Sequence, residues 1–155
     1  APTCRLERIE LPLEEVPARA EWERRAAGED AAGFHARYQL ARLDRGEDLR
    51  TPIVYPVQTW VFGEGLAAVF LAGEVVVDYA LRLKREFDGE RLWVTAYAND
   101  VPCYIPSRRV LAEGGYEAQG SMLFYGWPGP LSAEVEDRIV GTVHRLLPAS
   151  FAAGG

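Results

Sequence analysis

The feature that most constrains this chain is a change of period between Leu66 and Asn99. "LAAVFLAG" (66–73) is an uninterrupted run of apolar and small residues, the pattern of a buried strand. "EVVVDYALRLKREF" (74–87) then puts Val76, Tyr79, Ala80, Leu83 and Phe87 on one helical stripe. "DG" at 88–89 stops that helix, and "RLWVTAYAN" (91–99) reads as the next strand. Two parallel neighbouring strands joined by a helix have their carboxyl ends on the same edge of the sheet. That placement is the expectation for the strands ending near Gly73 and Asn99.

A carboxylate stands at one of those ends. Val69 to Gly73 are apolar or small, Glu74 follows, and three valines come after it. Burying a carboxylate there is costly unless something pairs with it. The other end is the loop "YANDVPCYIPS" (97–107), which supplies Tyr97, Asn99, Asp100, Cys103, Tyr104 and Ser107. Active groups in α/β folds gather at the carboxyl ends of strands. Glu74 and Tyr104 are therefore the candidates to face one site. Each also has a plainer reading. Glu74 can simply start the helix, where a carboxylate gains from a few tenths to about 1 kcal/mol. Tyr104 can be a loop aromatic packed on the sheet with its hydroxyl satisfied. Asn99 and Asp100 can be ordinary turn formers.

The remaining segments are read around this unit. "YPVQTWVFG" (55–63) is rich in β-branched and aromatic residues and ends at "GEG", a hairpin turn. Residues 1–50 carry nine Arg and eleven Asp or Glu and little strand character. They are expected to form an extended lead-in and two helical pieces, with Phe34, Tyr38 and Ala41 at helical spacing and Gly46 as a C-cap. Ser107 and Gly114 bracket a short helix, "GGYEAQG" reads as a turn and "YGWPGP" as loop. "LSAEVEDRIVGTVHRLL" is the clearest helix, with Ser132 as its cap and Val135, Ile139, Val143 and Leu146 toward the core. "ASFAAGG" reads as a frayed tail. The predicted fold class is α/β: a small β-β-α-β layered unit with an N-terminal helical arm and a long C-terminal helix. The boundaries are a charged arm (1–50), an α/β portion (51–148) and a flexible tail (149–155). Three strands make a thin sheet for a fold normally covered on both faces, so the unit is expected to belong to a larger α/β catalytic domain.

Composition removes several classes of function. The net charge of −6 argues against nucleic acid as a partner, because neutralising phosphates needs a basic surface. No apolar run approaches 18 residues, so no transmembrane segment is read. The N-terminus lacks a charged region followed by an apolar one, so no signal peptide is read either. Cys4 and Cys103 are expected to be two unpaired thiols. There is no GxSxG elbow, no GxxxxGK[ST] loop and no GxGxxG after a strand. His35 and His144, the only imidazoles, have no partner at zinc-ligand spacing.

Taken together, several segments resemble the neutral/alkaline (non-lysosomal) ceramidase family, in its bacterial ceramidase-like branch. The features are the strand ending in "GE", the "YAN" strand end, the segment "CYIPS" and "GGYE…S…FYG". The resemblance spans about residues 52–147 and, more loosely, the arm before them. It implies that this chain is the C-terminal portion of a ceramidase-like catalytic domain. By resemblance, Glu74 and Tyr104 are two ligands of a Zn2+ ion, and the remaining ligands are histidines outside this chain. Zinc accepts carboxylate oxygen and imidazole nitrogen and lowers the pKa of its water toward neutral. A tyrosine beside it can stabilise a developing oxyanion, which is the catalytic role implied for Tyr104. The implied reaction is hydrolysis of an N-acyl amide in a ceramide-like lipid, and the implied partner is the rest of the catalytic domain or another chain. Family members are often secreted or periplasmic. Pro106 and Ser107 replace the two threonines of the family pattern, and Cys103 stands where His is common, so the departures fall on the substrate side. The competing reading is a non-catalytic binding or assembly module.

Overall fold

The computed structural model describes residues 1–153. A four-stranded mixed sheet is its centre. β1 (Thr3–Leu11), β2 (Ile53–Phe62), β3 (Leu66–Leu71) and β5 (Leu92–Thr95) lie in the order β1-β2-β3-β5. A separate short pair is formed by β4 (Glu74–Val75) and β6 (Tyr104–Ile105). β2 and β3 are the antiparallel hairpin expected at "GEG", with Phe62 opposite Leu66. β3 and β5 are parallel, with Val69 opposite Val94, and α3 (Asp78–Glu86) connects them. The expected strand-helix-strand unit is therefore present, and the chain is mixed α/β.

One face of the sheet carries the core. Tyr55, Val69 and Leu71 meet Tyr79 of α3 and Ile139 and Val143 of α6 (Val135–Leu146), all fully buried. Strand alternation sends the next residues to the other face. There Cys4, Trp60, Ala68 and Trp93 stand in one row across the four strands. Trp93 is 64% exposed, and Trp60 and Phe62 are exposed beside it. The sheet is thus covered by helices on one face only.

Several sequence expectations need correction. The first eleven residues are not merely a lead-in: β1 is a nine-residue edge strand paired along its length with β2. Its charges hid it. Arg5 and Glu7 stand where a buried strand would carry apolar residues, and both reach the end of α6, Arg5 to the Leu146 carbonyl and Glu7 to Arg145. The sheet therefore has four strands rather than three, and the 1–50 boundary cuts through it.

The arm itself holds two helices, α1 (Arg19–Ala26) and α2 (Ala31–Asp44), around a small satellite core of Trp22, Ala36 and Leu49. Phe34, Tyr38 and Ala41 do share a face, but it is the exposed one. Gly33, Ala36 and Gln39 face inward instead. Close approach sets this choice, because a Cβ on Gly33 would lie 2.0 Å from the Gly28 carbonyl oxygen. Buried Gln39 is satisfied by donating to the Gly126 carbonyl at 2.8 Å and accepting from Arg42 at 3.1 Å.

Two smaller corrections concern the C-terminal third. α6 begins at Val135, and Ser132 Oγ accepts from the Glu134 N–H at 3.3 Å, so it caps the turn before the helix. The tail docks. Phe151 is buried, its carbonyl accepts from Asp88 N–H at 2.9 Å, and Ala153 N–H donates to Glu86 O. The frayed-tail expectation fails for 149–153; residues 154–155 lie outside the described residues.

Candidate functional site

Gly73 opens the site. It adopts φ 73°, and a Cβ there would meet the Cys103 carbonyl oxygen at 2.5 Å, so the chain can pass only as glycine. Its N–H donates to the Asp100 carbonyl at 2.8 Å, and its own carbonyl accepts from Tyr97 N–H at 2.9 Å. Glu74 N–H then donates to Cys103 O and Val76 N–H to Ile105 O. These bonds lay β4 beside β6 in parallel register, with Glu74 directly opposite Tyr104. The two residues expected to face one site are immediate cross-strand neighbours, and both are partly buried.

Glu74 is not the helix-start carboxylate. α3 begins four residues later, at Asp78, and Asp78 takes that place. The Asp78 carboxylate is fully engaged. Arg109 donates to both of its oxygens at 3.0 Å, and Ser107 Oγ donates a short hydrogen bond to Oδ2. The Arg109 guanidinium and the Ser107 hydroxyl hold the Asp78 carboxyl below its ordinary range. Ser107 also caps α4 (Arg108–Glu113) by accepting from Val110 N–H at 3.2 Å.

Around Glu74 the neighbours are phenols. The Glu74 carboxylate beside them raises the Tyr104 and Tyr97 hydroxyls above the usual tyrosine value, Tyr104 to about 12. Burial and then the Glu74 charge raise Tyr125, at the end of α5 (Met122–Tyr125). Tyr116 packs edge-on to Tyr104 with centroids 5.7 Å apart, and Phe124 follows at 6.3 Å from Tyr116. Among the described residues no ion pair includes Glu74. It is a carboxylate opposite a tyrosine, with no ion-pair partner among the described residues.

The other candidate groups lie elsewhere. Cys103 is completely buried, burial pushes its thiol up to about 12, and both cysteines are free, as expected. His35 Nε2 lies 3.0 Å from the Trp127 carbonyl and 2.8 Å from Gln39 Nε2, in the arm. His144 meets Glu86 at 2.7 Å on the surface. Asn99 Nδ2 donates to Gln58 Oε1 of β2 at 3.1 Å, a long-range contact, and Asp100 accepts locally from Val101 N–H. A groove of about 680 Å³ lies in front of the arm, with Glu21, Trp22, His35 and Trp127 on its walls, and does not reach Glu74. Glu21 is occupied there by Arg24 and Arg25.

The donor set at Glu74 offers a carboxylate and a phenol oxygen. Those suit two positions of a zinc site, but zinc also requires nitrogen, sulfur or further oxygen donors. No group of three or more His, Cys, Asp or Glu able to hold a metal occurs among the described residues. The sequence reading missed Tyr116, Tyr125 and the role of Asp78. Its available signal was the crowding of four of the seven tyrosines into residues 97–125. No family model matches the chain, and no curated protein or solved structure is significantly similar to it.

Proposed function

We propose that Glu74 and Tyr104 are two of the ligands of a zinc site in an amidohydrolase acting on N-acyl, lipid-like amides. The observation that carries this reading is the β4–β6 register, which sets Glu74 directly opposite Tyr104. Zinc, when bound, supplies a Lewis acid and lowers the pKa of its water toward neutral. Glu74 contributes a carboxylate oxygen on the strand directly opposite Tyr104. Tyr104 contributes a phenol beside it, positioned to donate to an oxyanion as it develops on the amide carbonyl. The exposed rings of Tyr116 and Phe124 next to Tyr104 suit the apolar portion of the substrate. The histidine ligands come from outside this chain, from the rest of a catalytic domain or a partner chain.

The test is Glu74→Ala in the full-length protein. Loss of both bound zinc and fatty-acid release from a fluorogenic N-acyl amide is expected. Unchanged metal content together with unchanged hydrolysis would contradict the reading.

A second reading, an assembly module, is favoured by one observation: the exposed aromatic face of Trp60, Phe62 and Trp93. Large exposed apolar surface on a sheet face marks an interaction surface. Sedimentation as a monomer at all concentrations would count against it.

A further inference from the structure

The sheet face that no helix covers exposes Leu6, Val54, Trp60, Phe62, Leu66 and Trp93 together. The sheet edges do not offer strand addition as an alternative. β1 turns Arg5 and Glu7 inward, which blunts an edge, and β5 has only four residues. The order of side chains across the face says what fits it. Its central row reads Cys4, Trp60, Ala68, Trp93: small, large, small, large. Trp60 leans on Phe70 and Phe62, with centroids 5.2 and 6.4 Å away, and Ala68 lies in the row between the two indoles.

Sheets that pack face to face in the aligned manner lie about 10 Å apart with interdigitated side chains. A two-fold axis between two such sheets, parallel to the strands and midway between β2 and β3, reverses the order of the row. Each Trp60 then stands over an Ala68 and each Trp93 over a Cys4, and Phe62 stands over Leu66. The row is its own complement, as an isologous interface requires. Charge agrees. Arg8, Glu10 and Asp100 are exposed, and none is in an ion pair among the described residues. The axis lays β1 over the other copy's β5, and so brings Arg8 toward the loop after β5 that holds Asp100. Size agrees too. Strands of nine, ten, six and four residues cover roughly 500 Å² in plan, about 1,000 Å² for two copies, where specific interfaces begin. We propose that this face is a homodimer interface, with a second copy packed sheet on sheet about the axis that sets Trp60 against Ala68. This rests on the assembly reading and is independent of Glu74.

Sedimentation equilibrium of the 155-residue chain, from about 1 μM to about 1 mM, tests it. A reversible monomer–dimer equilibrium is expected. Ala68→Trp is expected to weaken the dimer at least about tenfold although it adds apolar surface, because two rings then meet at one place. Trp60→Ala and Trp93→Ala, the latter at a side chain 64% exposed, should weaken it similarly with circular dichroism unchanged. The double variant Trp60→Ala/Ala68→Trp exchanges large and small across the axis and should return to within about threefold of wild type. Cys4, covered in the dimer, should react with a thiol reagent more slowly at the highest protein concentration than at the lowest. A monomer at every concentration would overturn this proposal and the assembly reading together. Capture of that monomer by phosphatidylcholine vesicles would assign the face to a lipid surface instead. A dimer that Ala68→Trp strengthens, or that the folded double variant fails to restore, would overturn the two-fold packing and leave the assembly reading standing.

Discussion

Glu74 and Asp78 lie four residues apart at one strand-to-helix junction, yet their surroundings are opposite. Asp78 starts α3 and is gripped by Arg109 and Ser107, so its charge is used in holding α3 to α4. Glu74 sits one short strand earlier, opposite Tyr104, and has no ion-pair partner among the described residues where Asp78 has a guanidinium. A carboxylate neutralised by an arginine has little left for a ligand. One with no cation paired to it keeps its charge available. The difference separates the structural carboxylate of this junction from the one proposed as a ligand.

Both carboxylates stand on one platform, and its removal is the largest expected effect. Tyr79, in the first turn of α3, is fully buried, and its hydroxyl donates to the Pro106 carbonyl at 3.1 Å, just after β6. Tyr79→Ala is expected to cost about 3–5 kcal/mol in denaturant unfolding, the range for deleting a buried ring. A loss under about 1 kcal/mol would mean that the two junctions do not share this support.

Asp78→Asn comes next. Replacing a partly buried carboxylate bonded to Arg109 and Ser107 should cost about 1–2 kcal/mol, allowing for solvent screening of the exposed guanidinium. Glu74→Gln should change stability by no more than about 0.5 kcal/mol, since no ion pair is lost. Equal losses for the two would erase the contrast. Acid sharpens it further. The Asp78 carboxyl is depressed in the fold, so its stabilisation is present above the ordinary Asp value of about 4 and is lost as pH falls through the folded value. The stability gap between wild type and Asp78→Asn should therefore shrink between about pH 5 and pH 2.

Much of this junction was legible in the sequence. The change of period at 66–99 implied a strand, a helix and a parallel strand, and the β3–α3–β5 connection has that form. It also implied that Glu74 and Tyr104 emerge together, and they do. The helix start was misplaced because "EVVVDY" carries a carboxylate at each end of its valines, and only the hydrogen bonds to Cys103 and Ile105 show that the first belongs to a strand. β1 was hidden for a related reason: its inward Arg5 and Glu7 answer to the end of α6, a partner more than 130 residues away. The phenols around Glu74 could be counted but not placed, since Tyr116 and Tyr125 arrive from segments read only as turn and loop. The α2 stripe turned outward because the approach of Gly33 to Gly28 sets the buried face, and helical periodicity carries no record of that contact.

Two smaller effects test the setting of the junction. Cys103, inside the β4–β6 corner, should resist a thiol reagent in the native chain, and Cys4, exposed on β1, should react. One thiol is expected before unfolding and two after. Two native thiols would mean that the corner opens readily. In the arm, burial holds His35 below its ordinary value, so the neutral ring is favoured by folding. That stabilisation is present above about pH 6.5 and is lost as the pH falls below it. Hydrogen exchange in α1 and α2 should rise on acidification before exchange in the sheet does.

The central claim is that Glu74, not Asp78, is the carboxylate of a half-built zinc site. Calorimetric titration of the 155-residue chain with Zn2+ tests it most directly, in wild type, Glu74→Gln and Asp78→Asn. Weak binding is expected in wild type, undiminished by Asp78→Asn and abolished by Glu74→Gln. Tight stoichiometric binding by the chain alone, or binding that survives Glu74→Gln, would contradict it.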